Sequence, residues 1–214
     1  YEIERLIKKY SDYIRYPIQM MVEEQRRVEE ETKEGEEEKE PKYETVMEEK
    51  TLNSMIPLWK REKAKITEEE YNDFYKSKFN DYTDPQKVIH FSVEGAVSFT
   101  SLLFIPGKTP MNYYSQDYKK GLQLYSRGVF IMDNAEELLP EHFRFVKGLV
   151  DSQDLSLNIS REMLQHDRQL KVIANRIEKK IKSELLLMLK NEREEYEKFW
   201  QNFGVQIKFG VYND

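Results

Sequence analysis

The sequence predicts a layered α/β fold in which helices pack on a short mixed sheet. Three observations support this prediction. Apolar and polar residues alternate in candidate strands between positions 88 and 132, and apolar residues recur at helical spacing between positions 161 and 188. The length of 214 residues fits one or two domains and is long enough to bury a sizeable core.

The N-terminal stretch predicts a helix followed by a strand. Apolar residues recur there at helical spacing over about four turns: Ile3, Leu6, Ile7, Tyr10, Tyr13 and Ile14. Pro17 prevents the helix from continuing, and the residues after it alternate as in a strand. A weak strand over 43–53 is predicted to pair back with 16–24. This pair, closed by a charged loop, would join two domains.

That loop carries the whole net charge of the chain. Residues 23–40 hold ten acidic and four basic side chains, which equals the overall net charge of −6. The neutral remainder argues against nucleic acid as the main partner, because phosphate binding needs a basic patch. The segment has one aliphatic and no aromatic residue, so we expect a solvated linker, with a solvated charged helix as the alternative.

The elements from Leu52 to Asp151 predict the sheet and its first covering helix. Thr67 and Glu70 form a capping box that opens a helix burying Tyr71, Phe74 and Tyr75. The candidate strands are 88–93, 96–105, 122–132 and 143–151. In the second of these, the two-residue period places Val97, Phe99, Leu103 and Ile105 on one face.

The C-terminal part predicts helices and a final strand. A long helix is expected from about Arg161, with one apolar stripe: Met163, Leu170, Ile173, Ile177, Ile181, Leu185 and Met188. A last helix over 191–203 and a strand over Val205–Val211 are expected to follow.

Several classes of protein and site are excluded by what the sequence lacks. There is no cysteine, and the three histidines have no metal-binding spacing, so no metal site is expected. The glycines form neither a dinucleotide-binding nor a P-loop motif, so this chain alone is not expected to bind ATP or act as an enzyme. It begins at Tyr1 without a signal peptide, which favours an excised piece of a longer cytoplasmic protein.

Arg161 is unusual for its predicted position. With Ser160 as N-cap, it would open the long helix, where the helix dipole favours acidic residues. Arg161, the free amides of that turn and Gln165 one turn later would suit a phosphate group. The alternative is an exposed arginine that extends into solvent.

Two apolar features lie at the boundaries of elements. Trp59, in the run Pro57–Lys60, is either a core residue or an exposed aromatic that touches partners. The loop Lys108–Tyr114 has an apolar tip at Met111 and leaves the same two alternatives open.

Several longer motifs resemble one family. They are YSDYIRYPIQ (10–19), LNSMIPLW (52–59), EEYNDFYK (69–76), HFSVEG (90–95), LLFIPGKTP (102–110), LYSRGVFIMD (124–133) and GLVDSQDLSLNISREMLQ (148–165). Together they resemble the ninety-kilodalton heat-shock chaperones, and the short linker resembles the bacterial branch. The resemblance covers essentially the whole chain except the linker.

The resemblance implies a fold and a domain plan. The middle fold of the family is a three-layer α-β-α sandwich with a mixed sheet, followed by a helical segment. Residues 1–22 would be the C-terminal edge of the N-terminal ATPase domain, and 23–42 the charged linker. Residues 43–190 would be the large α-β-α subdomain of the middle domain, and 191–214 a helical connector at the start of the next subdomain.

The resemblance also implies roles for individual residues. Arg161 matches the arginine that reaches the ATP γ-phosphate when the domains close, and Gln165 and Asn158 match its neighbours in the catalytic loop. Trp59 matches a residue associated with client contact, which predicts that it is partly exposed. Met111 stands where many relatives carry a larger aromatic in the loop that meets the front domain.

The family plan further implies cofactors and partners for a full-length protein. ATP and magnesium would be bound by its N-terminal domain, and its C-terminal domain would form a homodimer. Client proteins would be partners, whereas nucleic acid and membranes would not. The alternative function is a passive protein-interaction module in which Arg161 is purely structural.

Overall fold

The computed structural model describes residues 2–14, 16–28, 42–157 and 167–213, which divide into two compact units. The first unit covers Tyr1–Ile56 and the second Pro57–Asp214. Among the described residues, no helix is both long and apolar enough to cross a membrane.

The first unit consists of a helix and a two-stranded ribbon. Helix α1 spans Glu2–Tyr10, and strands β1 (Gln19–Val28) and β2 (Lys42–Thr51) pair antiparallel. The helix is shorter than predicted because Asp12 turns inward, where its carboxylate accepts hydrogen bonds from the Ser54 amide and hydroxyl at 2.9 and 3.0 Å. The predicted pairing of these two strands is confirmed.

Strand β1 extends six residues into the segment expected to be a solvated linker. Its register runs from Gln19 opposite Thr51 to Val28 opposite Lys42. Residues 23–28 are therefore ordered by backbone pairing, which does not require apolar side chains. The remainder of that segment, 29–40, lies outside the described residues.

The second unit is built around a five-stranded mixed sheet. Its strands are β3 (Pro85–Val93), β4 (Phe99–Pro106), β5 (Leu122–Ser126), β6 (Val129–Ala135) and β7 (Lys147–Ser152). The spatial order is β3-β4-β7-β5-β6, and all neighbours are antiparallel except β5 and β7. The predicted mixed sheet is confirmed.

Helices cover both faces of this sheet. Helix α2 (Glu68–Phe79), which begins at the predicted capping box, packs Tyr75 on Phe104 with a centroid distance of 5.1 Å. Helices α3 (Arg168–Asn191) and α4 (Arg193–Asn213) cover the opposite face. The four residues predicted to share one face of the strand over 96–105 all lie in the core beneath α3 and α4, although Val97 precedes the observed β4. This arrangement is the predicted three-layer α-β-α sandwich.

The strands predicted over 122–132 and 143–151 differ from the observed elements. The strand expected over 122–132 is a hairpin, because Arg127 and Gly128 form a two-residue turn with φ of 54° and 82°. The strand expected over 143–151 begins only at Lys147, because Glu141–Phe143 form a 3₁₀ turn.

The long helix begins later than predicted. Its N-cap is Asp167, whose carboxylate accepts hydrogen bonds from the amides of Gln169 and Leu170 at 2.7 and 3.2 Å. Ser160 is therefore not the cap of this helix, and Arg161 does not open it. The six stripe residues from Leu170 to Met188 are all buried, as predicted, whereas Met163 lies outside the described residues.

The predicted strand over Val205–Val211 is wrong, because α4 continues through it to Asn213. Phe199, Phe203 and Ile207 recur every four residues and pack on the core. Gly210 lets the helix approach closely, since an added Cβ there would lie 2.7 Å from the His142 ring. Burial of this stripe outweighs the β propensity of the local sequence.

Candidate functional site

The residues predicted to act on a phosphate lie in the connection between β7 and α3. Asn158, Arg161 and Gln165 are outside the described residues, so the structure does not test their predicted roles. The described residues on either side show how that connection is attached to the sheet and to α3.

The end of β7 is fixed by hydrogen bonds on successive residues. The Ser152 hydroxyl donates to the Ser98 carbonyl at 2.8 Å, and the Ser98 amide donates to Asp154 Oδ2 at 2.6 Å. The Ser126 hydroxyl donates to the Leu155 carbonyl at 2.7 Å, and the Leu155 side chain is buried in the core. The chain therefore enters the connection from a fixed position.

The other end of the connection is fixed by α3. The Asp167 carboxylate caps the helix, and Leu170 is only 2% exposed in the core. Residues 158–166 thus lie between two ends that are held in fixed positions, which suits side chains that must be positioned for function.

Asp151, just before that end of β7, is a buried carboxylate with three partners. Its side chain is 0% exposed and accepts from Trp59 Nε1 at 3.0 Å and from the Gly128 amide at 3.1 Å. Lys60 Nζ completes the set at 2.9 Å. A buried charge is tolerated only when it is paired and hydrogen-bonded, and Asp151 meets that condition.

The predicted exposure of Trp59 is wrong. Its residue is 1% exposed, and its ring packs against Tyr125 and Phe74 with centroid distances of 5.0 and 6.1 Å. The 3₁₀ turn Leu58–Lys60 that follows Pro57 directs the indole inward to the Asp151 carboxylate. Of the two alternatives, the core interpretation is correct, and a direct contact of this ring with a client protein is not supported.

His90 contacts the backbone of Trp59, whereas Asp151 contacts its indole ring. Its Nε2 lies 3.0 Å from the Trp59 carbonyl, which can only accept, so Nε2 carries the proton and the Tyr71 hydroxyl donates to Nδ1 at 2.7 Å. Burial lowers the pKa of His90, an effect that Lys63 reinforces and the bond to the Trp59 carbonyl partly offsets.

Met111 lies at the tip of its loop and is fully exposed, at 107%. Its position is compatible with the predicted contact to another domain, but does not test it. Within the described ranges, no group of three or more His, Asp or Glu side chains is arranged to hold a metal ion.

Sequence reasoning missed the anchoring role of Asp151. The signal was a single carboxylate in the otherwise apolar run Gly148–Asp151, predicted to lie in a buried strand. A charge in that setting needs a partner. The sequence pattern could not identify Trp59 and Lys60 as its partners, because they lie about ninety residues away in the sequence.

Comparison with known proteins identifies the family. The profile of the family described as "Hsp90 protein" matches residues 1–45 and 24–214. The proteins named "Chaperone protein HtpG" of Oceanobacillus iheyensis, Alkaliphilus metalliredigens and Bacillus subtilis are 54%, 55% and 53% identical to the chain over all 214 residues. The chain spans 33% of the length of each of these relatives.

A solved structure supports the same assignment. The middle domain of a heat shock protein from Plasmodium falciparum superimposes with a TM-score of 0.64 at 33% identity, covering 73% of this chain and 60% of that one. The observed α-β-α architecture is therefore the fold of that middle domain. With the profile match and the full-chain identities, this likeness shows that the chain belongs to the Hsp90 protein family.

Proposed function

We propose that the chain is the middle segment of an ATP-dependent molecular chaperone. It binds unfolded or partly folded client proteins and supplies Arg161 to the ATPase site of the N-terminal domain of the same chain. The observation that carries this proposal is an identity of more than 50% to HtpG chaperones along the whole chain, residues 158–166 included.

The fixed chain positions on either side of residues 158–166 support a role for Arg161 in phosphoryl transfer. An arginine that stabilises the charge of a transferred phosphoryl group must be held in position when the nucleotide domain closes. Asp151 and Leu155 before residues 158–166 and Asp167 after them supply fixed attachment points. Gln165 and Asn158 would orient Arg161, while ATP and magnesium would be bound by the N-terminal domain.

Met111 supports a contact between this segment and the N-terminal domain. Its side chain is fully exposed on a loop, where a partner surface can reach it without rearrangement of the core. In the full-length protein, homodimer formation would belong to the C-terminal domain.

Substitution of Arg161 in the full-length chaperone tests the proposal. We expect Arg161→Ala to lower ATP turnover by about 100-fold or more, which is the scale of arginine contributions to phosphoryl transfer. ATP affinity should change little, because the arginine acts on the transition state and not on nucleotide binding. Gln165→Ala should give a milder loss of the same kind.

The matched control is Arg176→Ala, which removes an exposed arginine from the middle of α3. Turnover should then stay close to that of the parent. The passive-module alternative predicts the opposite pattern, in which Arg161→Ala leaves turnover normal while the 214-residue chain loses stability.

A second test uses the 214-residue chain alone. Calorimetric titration with ATP should show no binding in the micromolar range, because the sequence holds no phosphate-cradling motif. Micromolar affinity would mean that this segment has a nucleotide site of its own.

A further inference from the structure

A cavity of about 700 Å³ opens at one end of the central strands of the sheet, opposite the end at which β7 leads toward α3. It is bounded by the end of α2, the end of β4 and its following loop, β6, and the first residue of β7. Lys147 at the start of β7 lines it, whereas Asp151 and the connection to α3 lie at the other end of the same strand.

Lys147 is a half-buried cation without a carboxylate partner among the described residues. Its Nζ lies 4.3 Å above the centre of the Tyr118 ring, and the nearby Arg144 guanidinium stacks on the same ring at 5.1 Å. Burial, together with the positive charge of Arg144, lowers the pKa of Lys147. A cation in this setting gains free energy if an anion enters the cavity.

The two carboxylates that line the cavity do not pair with Lys147. Asp81 accepts hydrogen bonds from the Tyr75 hydroxyl at 2.6 Å and from the Thr83 amide and hydroxyl at 3.0 and 2.9 Å. Asp117 is exposed, as are Lys108 and Lys119 on the cavity wall. The three lysines therefore outnumber the two acids, and the cavity attracts negative charge.

The rim of the cavity is apolar and exposed. Tyr82 is 93% and Met111 107% exposed, although both line the opening. A small inorganic anion would leave these side chains in water, whereas a peptide that carries an apolar side chain next to a carboxylate would cover them. A methionine is well suited to such a contact, because its side chain is flexible and polarisable.

We propose that this cavity binds an acidic peptide segment of a partner protein. A carboxylate of the peptide pairs with Lys147, and an adjacent apolar side chain packs on Tyr82 and Met111. The site does not depend on the role of Arg161, since it lies at the opposite end of β7. It shares Met111 with the contact proposed to the N-terminal domain, so the peptide and that domain would compete for this side chain in the full-length protein.

Fluorescence anisotropy with two labelled peptides tests the proposal on the 214-residue chain. The acidic probe is GSLEEFSG and the neutral control is GSLQQFSG. The acidic peptide should bind at least ~10-fold more tightly than the control, because only its carboxylates can pair with Lys147. Lys147→Met should remove that preference, whereas Lys65→Met should not, since Lys65 is 74% exposed and pairs with Glu62.

A second variant keeps the test informative if Lys147→Met does not fold. Met111→Asp changes a fully exposed side chain, so it should leave the fold intact. It should weaken the binding of the acidic peptide, because it adds charge repulsion and removes an apolar contact. Equal binding of the two peptides, or unchanged binding by Lys147→Met, would overturn the proposal. Full displacement by millimolar inorganic phosphate, but not by sodium chloride at the same ionic strength, would identify a small-anion site and overturn it as well.

Discussion

At the scale of single residues, the buried carboxylate of Asp151 connects three parts of the second unit that are distant in the sequence. It accepts hydrogen bonds from the Trp59 indole and from the turn between β5 and β6, and it pairs with Lys60. Removal of one member of such a buried set leaves another polar group without a partner, which costs more free energy than the bond itself contributes. Large effects on stability are therefore expected at this cluster.

Truncation of Trp59 should be one of the most destabilising changes. Trp59→Ala should lower the free energy of unfolding by about 3–5 kcal/mol, because it creates a large cavity and leaves Asp151 without its indole donor. Urea unfolding measures the change. Trp200→Ala is the matched control, since this second tryptophan is 37% exposed and should cost less than about 1.5 kcal/mol. Similar losses for the two variants would argue against the buried cluster.

His90 should make stability depend on pH in mildly acidic solution. Its pKa is lowered in the folded chain, mainly by burial, so between the folded and unfolded pKa values the unfolded state binds more protons. Stability from this group is then complete above an unfolded pKa of about 6.5 and is lost as the pH falls toward the lower folded value.

The measurement is the urea midpoint between pH 7.5 and pH 5 for the parent and for His90→Gln. Only the parent should lose the stability that neutral His90 contributes. The plots of urea midpoint against pH for the parent and for His90→Gln should therefore converge as the pH falls. Parallel curves over this range would show that His90 titrates alike in the folded and unfolded states.

At the scale of elements, α4 offers a direct contrast between local and tertiary preference. The run 205–211 has the composition of a strand, yet it is helical because Phe203 and Ile207 continue the apolar stripe of Phe199. Val205 itself is 70% exposed. Its side chain contributes little to the core, so substitutions there report mainly on the backbone.

Proline at Val205 distinguishes a helix from an edge strand. Val205→Pro should cost about 3 kcal/mol or more, because proline removes a helical hydrogen bond and clashes with the preceding turn. Val205→Ala should be neutral or slightly stabilising, since alanine has the higher helix propensity. Thermal unfolding followed by circular dichroism measures both. A proline variant as stable as the parent would contradict the continuous helix.

These elements also show how far the sequence determines the structure. The capping box at Thr67, the apolar face of the strand over 96–105 and the stripe of α3 from Leu170 to Met188 are local patterns, and each was predicted correctly. The turn at Arg127 and Gly128 was missed, because the residues on both sides of it look like one continuous strand. Its first residue is an arginine, which is not typical of a two-residue hairpin turn. The burial of Trp59 was left open by the pattern and predicted wrongly from the resemblance, because its partner Asp151 comes from a distant strand.

At the scale of the whole molecule, the two compact units differ in how much apolar surface they bury. The second unit holds the continuous core of the chain, beneath α3 and α4. In the first unit, α1 buries none of its residues, and Ile3, Leu6 and Tyr10 are between 42% and 57% exposed. A two-stranded ribbon alone is marginally stable in water, so the second unit should fold without the first.

Expression of residues 57–214 alone tests this difference. Both tryptophans of the chain, Trp59 and Trp200, lie in this piece, so tryptophan fluorescence follows its unfolding in the intact chain as well. The shortened piece should unfold in one cooperative transition within about 3 °C of the intact chain, since it keeps the whole core. Residues 1–56 alone should show no cooperative transition by circular dichroism.

A shorter piece, 68–214, is the informative control. It lacks the segment that carries Trp59 and Lys60, so the Asp151 carboxylate loses two of its three partners and stays buried without a counter-charge. That deletion should lower the unfolding temperature by about 10 °C or more, because several kcal/mol are lost from a domain of this size. If 57–214 failed to fold while 68–214 remained stable, the boundary at Pro57 and the anchoring role of the Trp59 segment would both be wrong.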